Sequence, residues 1–161
     1  MRQGRGSYLI TLRDITEENF AAIIAMKRPV DEGYVAPNVY SLAQAWLYRD
    51  NGDVFPYAIC NGDDPVGFLL LEEDDSERAL RIWRIMFPEE NTSKGYGTEA
   101  IRLVLGRARQ MRERFDLVTC DCDPSNARAK HVYEKLGFVE TGTVNHGSKE
   151  MVFDLRAERG F

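Results

Sequence analysis

A mixed α/β fold, with a sheet carrying helices on its faces, is the class this sequence predicts, and three observations predict it. Apolar runs of strand length recur along the chain, and two segments with helical periodicity fall between the later ones. A strand, glycine loop, helix, strand unit sits in the middle. With 161 residues, 43% of them hydrophobic and 29% charged, the chain suits one domain spanning 1–161 that can bury its own core.

In chain order, Tyr8 to Arg13 reads as a first strand. Thr16 then caps a helix reaching about Met26, in which Phe20, Ile23 and Ile24 share a face. An irregular stretch from Arg28 to Tyr40 carries Asp31, Glu32, Gly33 and Pro37. Ser41 caps a second helix, Leu42 to Arg49, with Ala45 and Trp46 inward. Val54 to Cys60 and Val66 to Leu71 flank Asn61-Gly62-Asp63-Asp64-Pro65, the composition of a hairpin loop, so they pair antiparallel. The acidic loop Glu72 to Glu77 leads into the strand Ala79 to Phe87.

A polar loop, Pro88 to Gly97, opens a long helix from Thr98 to about Arg114. Ile101, Val104, Leu105, Ala108 and Met111 form its apolar stripe. Leu117 to Cys122 is the next strand. Pro124-Ser125-Asn126 starts another helix, which Gly137 ends where a left-handed cap is favoured. Phe138 to Thr143 and Lys149 to Leu155 close the chain as a hairpin.

Composition narrows the function. A formal net charge of -5 and a pI near 5.1 argue against a nucleic-acid partner, which needs a concentrated basic face. Cys60, Cys120 and Cys122 show no zinc or redox spacing and read as small buried strand residues in a reducing compartment. The basic start, Met1 to Ser7, is followed by no apolar core of signal-peptide length, and no segment approaches a membrane span. The expectation is therefore a cytoplasmic protein with no membrane partner.

The segment Thr92-Ser93-Lys94-Gly95-Tyr96-Gly97-Thr98 enters the long helix directly. Its main-chain N–H groups project at the positive end of the helix dipole, and Gly95 and Gly97 let a diphosphate approach closely. It is neither a Walker loop nor the dinucleotide fingerprint. It resembles motif A of the GNAT superfamily of acetyltransferases, usually written Q/R-x-x-G-x-G/A, with Thr92 where glutamine or arginine is usual. Asn126 to Phe138 matches a second GNAT motif, N-x-x-A-x-x-x-Y-x-x-x-G-F.

The resemblance implies a mostly antiparallel central sheet flanked by helices, with acetyl-CoA as co-substrate in the splay between two central strands. Thr92 to Thr98 would cradle its pyrophosphate, more weakly for want of the usual motif A side chain. The main chain of Ile85, Met86 and Phe87 would face the thioester, and Asn126 would contact the pantetheine arm. Tyr133 would be the acid that protonates the departing thiolate. A tyrosine of pKa near 10 facing a thiolate near 8.5 makes that transfer uphill by roughly 1.5 units, or about 2 kcal/mol, small against a typical barrier.

Further features resemble the bacterial diamine and polyamine N-acetyltransferases: Tyr34-Val35-Ala36-Pro37-Asn38, Ser41 to Ala45, Val66-Gly67-Phe68, Arg84, Glu140-Thr141-Gly142 and Glu150-Met151-Val152. They imply a small-molecule amine as partner, such as spermidine or spermine. Asp31, Glu32, Glu72, Trp83 and Asp121 are the candidate acceptor-side residues. Trp83 stands where several polyamine enzymes place an acid, so the base role would pass to water near Glu72, Glu73 or Asp121, or to no dedicated group. Other amines (an amino acid, an aminoglycoside, a protein amino terminus) and a non-catalytic CoA-binding module are the alternatives. The closing strands of the family often pair across a homodimer, and Met151, Val152 and Phe153 offer a short apolar edge for this.

Overall fold

The computed structural model describes residues 9–29 and 35–159. Strands are β1 (Ile10–Asp14), β2 (Val54–Asn61), β3 (Asp64–Asp74), β4 (Ala79–Met86), β5 (Leu117–Cys122), β6 (Val139–Asn145) and β7 (Ser148–Asp154). Helices are α1 (Phe20–Ala25), α2 (Asn38–Leu47), α3 (Tyr96–Gln110) and α4 (Ala127–Leu136). The strands form one seven-stranded sheet in the order β1-β2-β3-β4-β5-β7-β6. Every neighbouring pair is antiparallel except β4 and β5. The mixed, mostly antiparallel sheet with helices on its faces is the fold expected from the sequence.

Period-two alternation splits the core between the two faces. Leu69 and Leu71 of β3 join Leu80, Ile82, Val118 and Cys120 under α3 and α4, whereas Phe68 and Leu70 join Ala58, Cys60, Ile23 and Ala45 under α1 and α2. Fully burying a side chain of this size contributes roughly 1.5–3 kcal/mol, so both layers are needed for a stable domain. The three cysteines are buried and unpaired, as expected.

β4 and β5 pair only from Ala79↔Leu117 to Ile82↔Cys120. Beyond that register β4 continues through Trp83 to Met86 beside β3, and β5 continues to Cys122 beside β7. The two central strands therefore diverge, opening a wedge whose apex lies at Ile82 and Cys120.

Three readings are corrected. α1 is shorter than expected, since the Thr16 carbonyl takes the N–H groups of Asn19 and Phe20 and Asn19 Oδ1 accepts from Thr16 N; of its predicted stripe only Ile23 is buried, with Phe20 and Ile24 exposed. α2 begins earlier, at Asn38, and turns Asn38, Ser41 and Ala45 inward while Trp46 is 68% exposed. Met151 to Phe153 do not form an edge: β7 is flanked by β5 and β6, and β6 is the outer strand.

Candidate active site

A cavity of about 210 Å³ fills the wedge between β4 and β5. Ile85 and Met86 line it from β4 and Phe87 from just beyond that strand, Asn91 to Ser93 and Gly95 to Thr98 from the loop and first turn of α3, and Asn126, Arg128, Ala129, Val132 and Tyr133 from the N-cap and body of α4. Arg28 and Val35 stand on the remaining side. The expected Ile85, Met86, Phe87, Thr92, Ser93, Gly95, Tyr96, Gly97, Thr98, Asn126 and Tyr133 are thus gathered around one space. Lys94 belongs to the same loop but does not line the cavity, and its Nζ donates to Asn91 Oδ1 at 3.4 Å.

The loop presents donors by construction. Gly95 is the N-cap of α3, with φ of 84° and no side-chain cap, and the first helical bond runs from Glu99 N to Gly95 O. The N–H groups of Gly97 and Thr98 therefore have no acceptor within the helix, and both residues face the cavity together with Tyr96. Unmatched donors at a positive helix end suit a diphosphate. Ser93, at φ of 61°, is a second left-handed position in the same loop. The Thr92 hydroxyl donates back to Glu89 O at 2.8 Å.

Phe87 underlies this cradle. A Cβ at Gly67 would meet its ring at 2.6 Å and the Met86 carbonyl oxygen at 2.9 Å; a Cβ at Gly97 would meet the ring at 3.5 Å. The two glycines thus leave room for one aromatic ring. At Gly97 a Cβ points at Phe87, so a larger residue would act first by moving that ring. The main-chain oxygen of Phe87 accepts from Arg28 Nη1 at 3.2 Å, joining the end of β4 to the segment after α1.

Tyr133 is almost fully buried, its ring 5.1 Å from that of Phe138 in an edge-on contact. Its hydroxyl lies near the Cys120 thiol at the apex of the wedge. Burial holds the phenol well above its ordinary pKa, with the nearby cysteines adding to the effect, and burial likewise raises Cys120. Both groups therefore stay protonated at neutral pH. Asn126 caps α4 through its Oδ1, which accepts from Ala129 N at 3.2 Å, leaving its amide N–H groups for a ligand.

Of the acceptor-side candidates, Glu72, Trp83 and Asp121 do not line the cavity. Arg81 Nη1 contacts Glu72 Oε2 at 3.3 Å and Arg81 Nη2 contacts Asp121 Oδ2 at 2.9 Å, while Asn145 Nδ2 donates to Asp121 Oδ1 at 3.2 Å. Glu73 pairs with Arg114. Trp83 packs against the α1–α2 core, 6.1 Å from the ring of Tyr48. Asp31 and Glu32 lie outside the described residues.

Arg84 Nη1 donates to Ser41 Oγ at 3.2 Å and to Gln44, with its guanidinium 4.9 Å from the Trp83 ring centre and 5.5 Å from that of Tyr40. Burial lowers its pKa. No carboxylate pairs with it among the described residues. Sequence reasoning missed Arg28, Asn91, Ala129, Val132 and Arg128 as lining residues; the last three were within reach of helical periodicity on α4, but nothing in the sequence marked Arg28. No helix among the described residues is long and apolar enough to cross a membrane, and no group of three or more metal-binding side chains occurs among them.

The model of an acetyltransferase (GNAT) domain matches residues 10–139. Comparison with curated protein sequences gave no match. Among solved structures, a spermidine N-acetyltransferase from Vibrio cholerae, in complex with CoA and spermine, superposes with a TM-score of 0.72 at 17% identity, covering 94% of this chain and 98% of that one. An aminoglycoside acetyltransferase, AAC(6')-Ib, in complex with coenzyme A, gives 0.73 at 24% identity, covering 93% and 98%. A third structure, with a TM-score of 0.67 at 18% identity and coverage of 92% and 95%, is a dodecameric form of the Vibrio cholerae spermidine enzyme.

Proposed function

Since the chain belongs to the GNAT acetyltransferase family, with acetyl-CoA as co-substrate, we propose that it acetylates a primary amine, of the diamine or polyamine class such as spermidine or spermine. The observation that carries the acetyl-transfer reading is the wedge between β4 and β5. It has unmatched α3 donors at one end and a buried, protonated tyrosine at its apex.

In this reading the N–H groups of Gly97 and Thr98 hold the diphosphate, and the Asn126 amide N–H groups hold the pantetheine arm. The main chain of β4 from Ile85 to Phe87 stabilises the oxyanion that forms as the amine attacks the thioester carbonyl. A C–N bond forms and the C–S bond breaks. Tyr133 gives its hydroxyl proton to the departing sulfur, and the proton lost by the amine goes to water. The raised pKa of Tyr133 does not undo this transfer, because the same dry surroundings raise a thiolate's proton affinity as well. With Glu72 and Asp121 both engaged by Arg81, the chain supplies no dedicated base there, and the amine reacts from its neutral fraction.

The polyamine class is supported by the resemblance to the spermidine enzymes and by the negative net charge. A second reading, an amine of lower positive charge such as a free amino acid, is favoured by the pairing of Glu72 and Asp121 with Arg81. The test is release of free thiol from acetyl-CoA across an acceptor panel of spermidine, putrescine, an aminoglycoside and free amino acids. Turnover with spermidine above the rest supports the proposal. Turnover confined to another amine selects the second reading, and none with any acceptor, despite CoA binding, selects a non-catalytic module.

We also propose a homodimer built on the outer strand. Among the described residues β6 pairs only with β7, and Val139 and Val144 project from it exposed. Light scattering at twice 18.4 kDa is the expected result, and a monomer at assay concentration the opposing one.

A further inference from the structure

We infer that the acceptor side of the wedge holds a carboxylate subsite built on Arg84, so that of two diamines of equal chain length the one bearing a carboxylate is the better acceptor; this rests on the acetyl-transfer reading of the wedge. Arg84 belongs to the part of β4 that β5 leaves unpaired, and it directly precedes Ile85, the first wedge-lining residue of that strand. Between Leu71↔Ile82 and Leu70↔Arg84 the register slips by one, which makes Trp83 an extra residue on β4. Trp83 packs on the α1–α2 core and Arg84 reaches Ser41 of α2, so two successive side chains serve the face away from α3 and α4. The guanidinium thus stands within one side-chain length of the main chain that would face the thioester, across the strand from the coenzyme. Arg28 and Val35, from the connection between α1 and α2, close the cavity on that side.

A cation withdrawn from water calls for a counter-ion. Arg84 is half-buried, and burial lowers its pKa, yet an arginine remains charged at neutral pH. Its Nη1 donates to two neutral groups, Ser41 Oγ and Gln44 Oε1, and neither Nε nor Nη2 has an acceptor among the described residues. The amide N–H groups of Gln44, whose oxygen is turned to Arg84, have none there either. Arg81, three positions earlier on the same strand, is by contrast matched by both Glu72 and Asp121. One arginine of β4 is therefore neutralised within the fold, and the next keeps its charge and most of its donors.

The surroundings hold that charge in place. Ser41 and Gln44 pin one end of the guanidinium, and the rings of Trp83 and Tyr40 stand 4.9 and 5.5 Å from it. A planar fork fixed at one nitrogen and open along its other edge matches the two oxygens of a carboxylate in geometry and charge. A second ammonium group would be repelled from the same place, so the free amino group of a plain diamine has no partner there.

Thiol release from acetyl-CoA by the full chain, with ornithine against putrescine and lysine against cadaverine, tests this. Within each pair the amino acid should have a kcat/KM about tenfold higher in the wild type. Arg84→Gln should lower it for the amino acids about tenfold more than for the diamines, and Arg84→Lys, which keeps the charge without the fork, should retain part of the preference. Putrescine equal to or better than ornithine in the wild type overturns the assignment, as does an equal loss for both in Arg84→Gln; thiol release persists in either case and the acetyl-transfer reading survives. A second readout needs no turnover: in a Trp46→Phe background Trp83 is the one tryptophan, 4.9 Å from the guanidinium, and with CoA present its fluorescence should respond saturably to ornithine at concentrations about tenfold below those needed for putrescine. An equal response to both, or none to ornithine, overturns the subsite. Absence of thiol release with every acceptor fails the acetyl-transfer reading itself, and the fluorescence titration still decides the subsite.

Discussion

The two faces of the sheet are built on different terms. On the α3–α4 face, apolar stripes bury cleanly, Gly95 and Gly137 sit in left-handed conformations at helix ends, and the wedge-lining residues other than Arg28 and Val35 come from two stretches, 85–101 and 126–133. On the α1–α2 face, helices of 6 and 10 residues turn Phe20, Val39, Trp46 and Leu47 to solvent and point Ser41 and Gln44 at an arginine. In the proposed function the first face carries the chemistry shared by every acceptor, and the second bears on which amine enters.

The strongest way to break that contrast is Tyr133→Phe. If the α4 face supplies the acid, kcat falls by about two to three orders of magnitude while CoA affinity is unchanged. Full activity in the variant would make Tyr133 a core residue whose hydroxyl contributes at most about 1 kcal/mol to stability.

pH sharpens the comparison next. An alkylamine of pKa near 10.4 becomes roughly tenfold more available per unit between pH 7 and 9, so kcat/KM should climb by about that factor if the acceptor face provides no base. Tyr133 is raised above its ordinary value and thus keeps its proton throughout, so no falling limb should appear up to pH 10. A plateau beginning near neutrality would point to a base on the acceptor side.

Gly67→Ala should have a smaller effect, on folding more than on rate. The added methyl would collide with the Phe87 ring and the Met86 carbonyl oxygen, which predicts a loss of about 1–3 kcal/mol in chemical denaturation, with weakened CoA binding as the loop above Phe87 shifts. Unchanged stability would mean that Phe87 can turn aside freely. The smallest change expected is from Trp46→Ser, below about 0.5 kcal/mol, although Trp46 is the kind of residue that usually anchors a core.

Trp46 also shows where the sequence was legible and where it was not. The glycine loop and the α4 motif were readable because their chemistry is local: a glycine that needs a positive φ and a helix start that needs an anion announce themselves within a few residues. The orientation of α2 depends on Arg84, some 40 positions away, whose guanidinium takes Ser41 and Gln44 as partners and so turns the polar side of the helix inward. Glu72 and Asp121 read as candidate acids for the same reason, since only strand register places Arg81 between them. Long-range pairing of charges is invisible to periodicity.

The four-residue seam between β4 and β5 has a mechanical meaning. Among the described residues it is, with the bonds that Arg78 O accepts from Asp116 N and Leu117 N, the main-chain link between β1–β4 and β5–β7, a short hinge between two halves of the sheet with α3 packed on both β1 and β5. A linear molecule lodged in the wedge, bonded to the open edge of β4, would act as a splint across that hinge. Slowed amide exchange at Trp83 to Phe87 on adding CoA, with little change at Ala79 to Ile82, would be the signature of such bracing.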